Sequence, residues 1–236
     1  MANSTSDSGL LGVGLYTPAD ACHLLRIPAS TLRRWIDGYT FPLARWSKRH
    51  QPGLFEPALP RTGGKLTLTF LDLVQLRVVR ALRLDAKVPL QRIRTAAEVA
   101  ADLFSTSHPL AFVRFKTEGR RIFASLDGDQ DFAMVELSAP AQGALDVFAQ
   151  LREISYLTET GLAGRWYPNG EKGGVVIDPK LAFGAPVLID SGVPTHAIWE
   201  QSKSVKEPIR LADWFRLDVQ RVNDALRYES ELARAA

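Results

Sequence analysis

Apolar residues near the start of the chain recur at helical spacing. In Pro18-Ala-Asp-Ala-Cys-His-Leu-Leu25, the residues Ala21, Leu24 and Leu25 fall on one face. Thr17 places a capping hydroxyl ahead of the helix-starting Pro18, and Asp20 lies in the first turn, where the helix dipole favours negative charge. Arg26-Ile27 breaks the period. Pro28 restarts it, and Leu32, Trp35 and Ile36 mark a second short helix that stops at Gly38. Two short helices whose apolar faces must meet across a tight turn predict a helix-turn-helix.

Residues 38–66 change texture: proline and glycine interrupt a stretch of aromatic, Arg, Lys and His residues. This predicts loop or a short hairpin, with strands at Tyr39–Phe41 and Lys65–Thr69, placed where a wing would follow a helix-turn-helix. Helical period returns over Phe70–Leu84, with Arg77, Arg80 and Arg83 on one stripe, and Pro89 opens a further helix that runs to Phe104. From Phe112 the period becomes two. Phe112–Thr117 and Arg120–Ala124 predict a hairpin about Glu118-Gly119, followed by a helix over about Pro140–Leu157. Residues 161–174 are glycine-rich, with a turn at Asn169-Gly170. Strands are expected at Val175–Asp178 and Pro186–Ile189, then a turn at Ser191-Gly192 and a helix from Pro194. Pro208–Phe215 and Asp218–Leu232 form a second pair shaped like a helix-turn-helix. The expected class is α+β, with a leader (1–15), a winged helix-turn-helix (16–105), a middle hairpin and helix (106–174) and a small C-terminal module (175–236).

With 46% hydrophobic and 23% charged residues over 236 positions, the chain has the makeup of a folded protein rather than a disordered one. No run approaches the roughly 18 apolar residues of a membrane span, and MANSTSDSGLLGVG does not resemble a secretory signal, so the expected compartment is the cytoplasm. The single cysteine, Cys22, excludes an internal disulfide and argues against a cysteine zinc site. Charge is unevenly placed. Residues 1–100 carry 14 Lys and Arg against 7 Asp and Glu, whereas residues 101–236 carry 15 against 19. A basic first half suits a polyanion, and an acidic second half suits a different partner.

The helix over 28–37 is the most informative segment. With Leu32, Trp35 and Ile36 facing inward, Ser30, Thr31, Arg33, Arg34 and Asp37 are left outside. The second helix of this motif enters the major groove by its N-terminal part, where guanidinium forks match guanine edges or phosphates and hydroxyls match phosphates. Elsewhere the chemistry is thin. Asp127, Asp129 and Asp131 have calcium-loop spacing, but Phe132 and Ser138 stand where glycine and an acidic ligand belong. The four histidines are scattered, the glycines of 161–174 match no phosphate or dinucleotide pattern, and no catalytic constellation stands out. No enzyme, cofactor or metal site is argued for.

The segment TPADACHLLRIPASTLRRWI resembles the N-terminal helix-turn-helix of the MerR-like regulators, and TFLDLVQLRVVRALR resembles the helix after their wing. That likeness covers about residues 16–104. It implies that Ser30, Thr31, Arg33 and Arg34 meet double-stranded operator DNA, with Lys48 and Arg49 of the wing on the backbone; the wing is longer here than in that family. The C-terminal stretch IDPKLAFGAPVLIDSGVPTHAIWEQ, with the helix pair that follows, is similar to a small domain of antitoxins. Together the two halves resemble VapB-type antitoxins that pair with a PIN-fold ribonuclease toxin. The resemblance implies a homodimeric repressor and antitoxin whose C-terminal module covers the toxin, with Arg227 and Arg234 as contact candidates. A rival reading is a ligand-responsive regulator without a toxin, its pocket lined by Trp166, Tyr167, Trp199 and Trp214. A third is that the second helix pair also binds DNA, against which its mixed charges argue.

Overall fold

The computed structural model describes residues 13–44, 47–113, 115 and 151–235. These group into two compact units: Thr17–Leu151 with Tyr156–Ala163, and Met1–Tyr16 with Arg152–Ser155 and Gly164–Ala236. The second unit begins well ahead of the boundary expected at 175, because the strand at Gly164–Trp166 belongs to its sheet. Tyr16, expected to open the helix-turn-helix, also belongs to this second unit, where its hydroxyl donates to the Gly184 carbonyl at 2.8 Å.

The first unit is mainly helical. After β1 (Leu15–Tyr16), which belongs to the second unit, the chain forms α1 (Pro18–Leu25) and α2 (Ala29–Ile36). Thr17 and Asp20 form a reciprocal capping box: the Asp20 amide donates to the Thr17 hydroxyl at 3.2 Å, and the Thr17 amide donates to the Asp20 carboxylate at 2.9 Å. Arg26 ends α1 in the left-handed region (φ 53°), and the Ile27 amide closes the turn on the Cys22 carbonyl at 3.1 Å. Ala21, Leu24, Leu25, Leu32, Trp35 and Ile36 are all buried, as the helical period predicts.

α2 runs into a hairpin of β2 (Tyr39–Ala44) and β3 (Ser47–Gln51), antiparallel, with Phe41 opposite Arg49 and Pro42 opposite Lys48. The expected partner of Tyr39–Phe41 was Lys65–Thr69, whose Leu-Thr-Leu-Thr alternation looks like a strand. Only β4 (Leu68–Thr69) forms there, and Thr69 serves instead as the N-cap of α3 (Phe70–Arg80). A π-helical turn at Ala81–Asp85 follows, then α4 (Leu90–Phe104). Leu73, Val74, Leu76, Val78 and Val79 of α3 are fully buried and form the centre of this unit.

Two further expectations are corrected. Phe112 makes an isolated bridge to Leu162, and the Phe115 amide returns to the Phe112 carbonyl at 3.0 Å, so the chain turns here instead of running on as a strand. The remainder of the expected hairpin and most of the helix over 140–157 lie outside the described residues. The end of that helix is displaced by a 3-10 turn at Leu151–Glu153 and by β5 (Ile154–Tyr156). Ile154 and Tyr156, two β-forming residues one apart, favour an extended conformation over a last helical turn.

The second unit carries a four-stranded sheet in sequence order, β5, β6 (Ala163–Trp166), β7 (Val175–Ile177) and β8 (Pro186–Leu188). β7 is central and buried on both faces, with Val176 packing among Tyr167, Val187 and Ile189. Three helices follow: α5 (Thr195–Ser202), α6 (Pro208–Phe215) and α7 (Val219–Ala235). Thr195 ties the first to the last, donating to the Glu229 carboxylate at 2.5 Å. The α6–α7 turn repeats the α1–α2 turn closely. Arg216 takes φ 54°, and the Leu217 amide closes on the Ala212 carbonyl at 2.9 Å. Both first helices have eight residues with proline at the start. Among the described residues no helix is long and apolar enough to cross a membrane.

Asp72 organises the entry to α3. Its carboxylate, fully buried, accepts from the Thr69 amide and hydroxyl, each at 2.9 Å, and from the Ala58 amide at 3.3 Å. Asp72→Ala should lower unfolding free energy by about 2–3 kcal/mol in urea titrations, since it removes a cap and leaves buried donors unpaired. His108 lies 4.0 Å from this carboxylate, yet burial outweighs the nearby charge and holds its imidazole below the ordinary value. The unfolded chain therefore takes up that proton first. Thermal stability should fall as pH drops below about 6.5, and His108→Gln should flatten the fall.

Candidate nucleic-acid interface

The helix-turn-helix leaves one face of α2 outside. Ser30, Arg33 and Arg34 are exposed, Thr31 is half-buried, and Leu32, Trp35 and Ile36 anchor the opposite side. The helix starts at Pro28 without a side-chain cap, so its first amides are left without a side-chain acceptor from that position. No carboxylate among the described residues pairs with Arg33 or Arg34. Asp37, one turn on from both, is held by Arg61 in an ion pair. The Arg34 guanidinium lies over the Tyr39 ring, 3.9 Å from its centroid.

The hairpin is fixed to the end of this helix by backbone contacts. Gly38 takes φ +77°, and a Cβ there would collide with the Gln51 carbonyl; a Cβ on Gly53 would collide with the Ile36 carbonyl. The Leu54 amide donates to the Trp35 carbonyl at 2.8 Å. Arg94 of α4, buried, donates to the Pro52 carbonyl at 2.8 Å and to Gln91 at 2.7 Å. It is therefore a structural clamp with its charge turned inward. Lys48, Arg49 and His50 are exposed on β3, and His50 lies 3.3 Å from the Thr40 hydroxyl. The unit thus carries two cationic elements, α2 and β3, joined through a connection with no room to slide. Such a surface can hold phosphates and offer guanidinium forks to base edges.

The second unit treats its arginines differently. Asp224, 5% exposed, receives Arg227 at 2.5 Å, Arg221 at 3.4 Å and Gln220 at 3.2 Å, while Arg221 also pairs with Asp190. Arg227, expected as a free contact residue, is thus partly engaged within α7. Arg234 is exposed in the last turn. The outward positions of α7 that correspond to those of α2 carry neutral or internally paired groups, which disfavours a second groove-reading helix. Trp166 is buried on β6, Tyr167 is buried just after it, and Trp199 is half-buried on α5. The first two are core residues. Trp214, expected in a pocket in the rival reading, is 65% exposed on α6, as is Ile209, which sequence reading missed because it sits in an otherwise regular apolar helical pattern. Cys22 is half-buried, and burial raises its thiol pKa, consistent with a structural role.

Comparison with known proteins finds relatives of the whole chain. A family model described as "Putative DNA-binding HTH domain" matches residues 14–97. The protein named "Putative antitoxin VapB45" of Mycobacterium tuberculosis is 30% identical over 227 residues, covering 91% of this chain and 93% of that protein. "Uncharacterized protein Rv2308" of the same organism is 23% identical over 241 residues, covering 97% and 95%. The crystal structure of Rv2018 from Mycobacterium tuberculosis shares the fold, with a TM-score of 0.70 at 24% identity over 92% of this chain and 99% of that one.

The Asp224 cluster yields a stability test that separates an arginine paired within α7 from one that is only exposed. Arg227→Ala should cost about 1 kcal/mol or less, the discounted value of an exposed partner to a buried carboxylate, whereas Arg234→Ala should leave the denaturation midpoint unchanged.

Proposed function

Because the chain belongs to the family of the protein named "Putative antitoxin VapB45" and carries a helix-turn-helix DNA-binding domain, we propose that it is a DNA-binding antitoxin. In this reading it neutralises a PIN-like ribonuclease toxin and represses its own operon, acting in the cytoplasm without enzymatic activity. α2 enters the major groove with Ser30, Thr31, Arg33 and Arg34 outward, and the β2–β3 hairpin acts as a MerR-like wing whose Lys48 and Arg49 meet the backbone. A homodimer sets two such helices about 34 Å apart on a near-palindromic site. The C-terminal unit covers the toxin, with Arg234, and Arg227 once released from Asp224, as contacts.

The observation that carries the DNA reading is the exposed arginine pair on α2, free of local carboxylates, while comparable arginines on α7 are internally paired. In this reading the exposed charge of α2 is what meets the groove. The toxin reading is supported by the named relative and by the charge difference between the two halves.

The decisive measurement uses full-length protein and a duplex taken from immediately upstream of its own gene. Arg33→Ala combined with Arg34→Ala should weaken binding by about thirtyfold or more at fixed salt, from the loss of two charge-assisted contacts. The same variant should still co-purify with the product of the adjacent reading frame when the two are co-expressed. Unchanged DNA affinity would remove the groove assignment, and loss of co-purification would contradict the division of labour between the units.

A further inference from the structure

Arg33 and Arg34 are neighbours on one helix, but the structure holds them differently. The Arg34 guanidinium carbon stands 3.9 Å from the centroid of the Tyr39 ring. Tyr39 is the first residue of β2, and its ring leans on Phe41 at 5.8 Å between centroids, two residues along the same strand face. No comparable aromatic contact holds Arg33 among the described residues. Asp37, the acidic residue within one helical turn of both, is drawn off by Arg61. The stack and the diverted carboxylate act in the same direction. One orders the Arg34 side chain, and the other keeps its donors from being satisfied locally.

A guanidinium stacked on a ring gives up only its π face. Its five N–H groups point outward in its own plane, so the fork remains available for a bidentate acceptor. An unstacked arginine must lose the rotamer freedom of a long side chain when it binds, whereas a stacked one has lost part of it already.

We propose that Tyr39 is a positioning residue that presets the Arg34 fork, making Arg34 the specificity-determining member of the pair and Arg33 a general anion contact. The inference rests on the DNA reading above. It assigns the first residue of the hairpin a role exerted through the helix, in addition to any backbone contact made by Lys48 and Arg49. The chemistry it serves is a planar double acceptor, such as a guanine edge, for which the orientation of the fork matters more than its charge.

The test is fluorescence anisotropy with the full-length chain, the upstream duplex and a scrambled duplex of equal length, all at one salt concentration. Y39F, which keeps the ring, should bind both duplexes like the wild type. Y39L, and the strand-compatible Y39T as a second variant, should weaken upstream binding by about two- to fivefold and leave scrambled binding unchanged. In an R34A background either change should add nothing. If R34A weakens upstream binding while Y39L and Y39T leave it unaltered, or weaken it further in R34A, the positioning role is overturned. If R33A/R34A leaves both duplexes unaffected, the DNA reading itself fails, and the role of Tyr39 falls with it.

Discussion

The architecture of the first unit depends on one close approach of backbone to backbone. Where the chain leaves α2 and where it returns from the hairpin, glycines at 38 and 53 let main-chain atoms meet at distances no Cβ would allow. The Leu54 amide completes the contact on Trp35, and Arg94 locks the returning strand from the α4 side. A helix and a hairpin are ordinarily joined by loops whose angle follows side-chain packing. Here the angle follows from the main chain, and the side chains on the outer surfaces are left free to vary.

The same separation between scaffold and surface recurs in the charges. Buried carboxylates in both units perform structural tasks: Asp72 holds the start of α3, Asp224 gathers the arginines of α7, and Glu229 receives Thr195. Burying an acid without partners costs several kcal/mol, and each of these accepts at least one hydrogen bond. Cations follow the complementary rule. Arg94 is turned inward and donates to carbonyl and amide oxygens, whereas Arg33 and Arg34 face outward. Net charge alone conceals this, because the balance of the chain averages over groups with unlike duties.

Much of the helical framework is legible from residue order. Thr17-Pro18-x-Asp20 announces the first helix because each residue acts locally, and the 21, 24, 25, 32, 35, 36 face has one possible interior. The hairpin is harder. β3 reads Ser-Lys-Arg-His-Gln, with no apolar alternation, since a two-stranded ribbon has no need of a buried face along its whole length. The more strand-like Leu-Thr-Leu-Thr is drawn away because Thr69 is needed as a cap. The outward placement of Arg33 and Arg34 follows from helical period, yet the ring beneath Arg34 does not, since it comes from the strand after the glycine. Likewise, the engagement of Arg227 depends on Asp224 being buried, which a count of charges along α7 does not reveal.

The paired turns at Arg26 and Arg216 have a consequence for how kinship in this architecture can be traced. Each ends a helix in a left-handed conformation without a glycine, and each is followed by one buried or half-buried aliphatic residue, Ile27 or Leu217. Neither carries the residue by which such corners are usually spotted. A lineage that builds its corners in this way can exchange nearly every outward letter and retain the shape. Kinship there rests on the backbone path as much as on the letters that spell it.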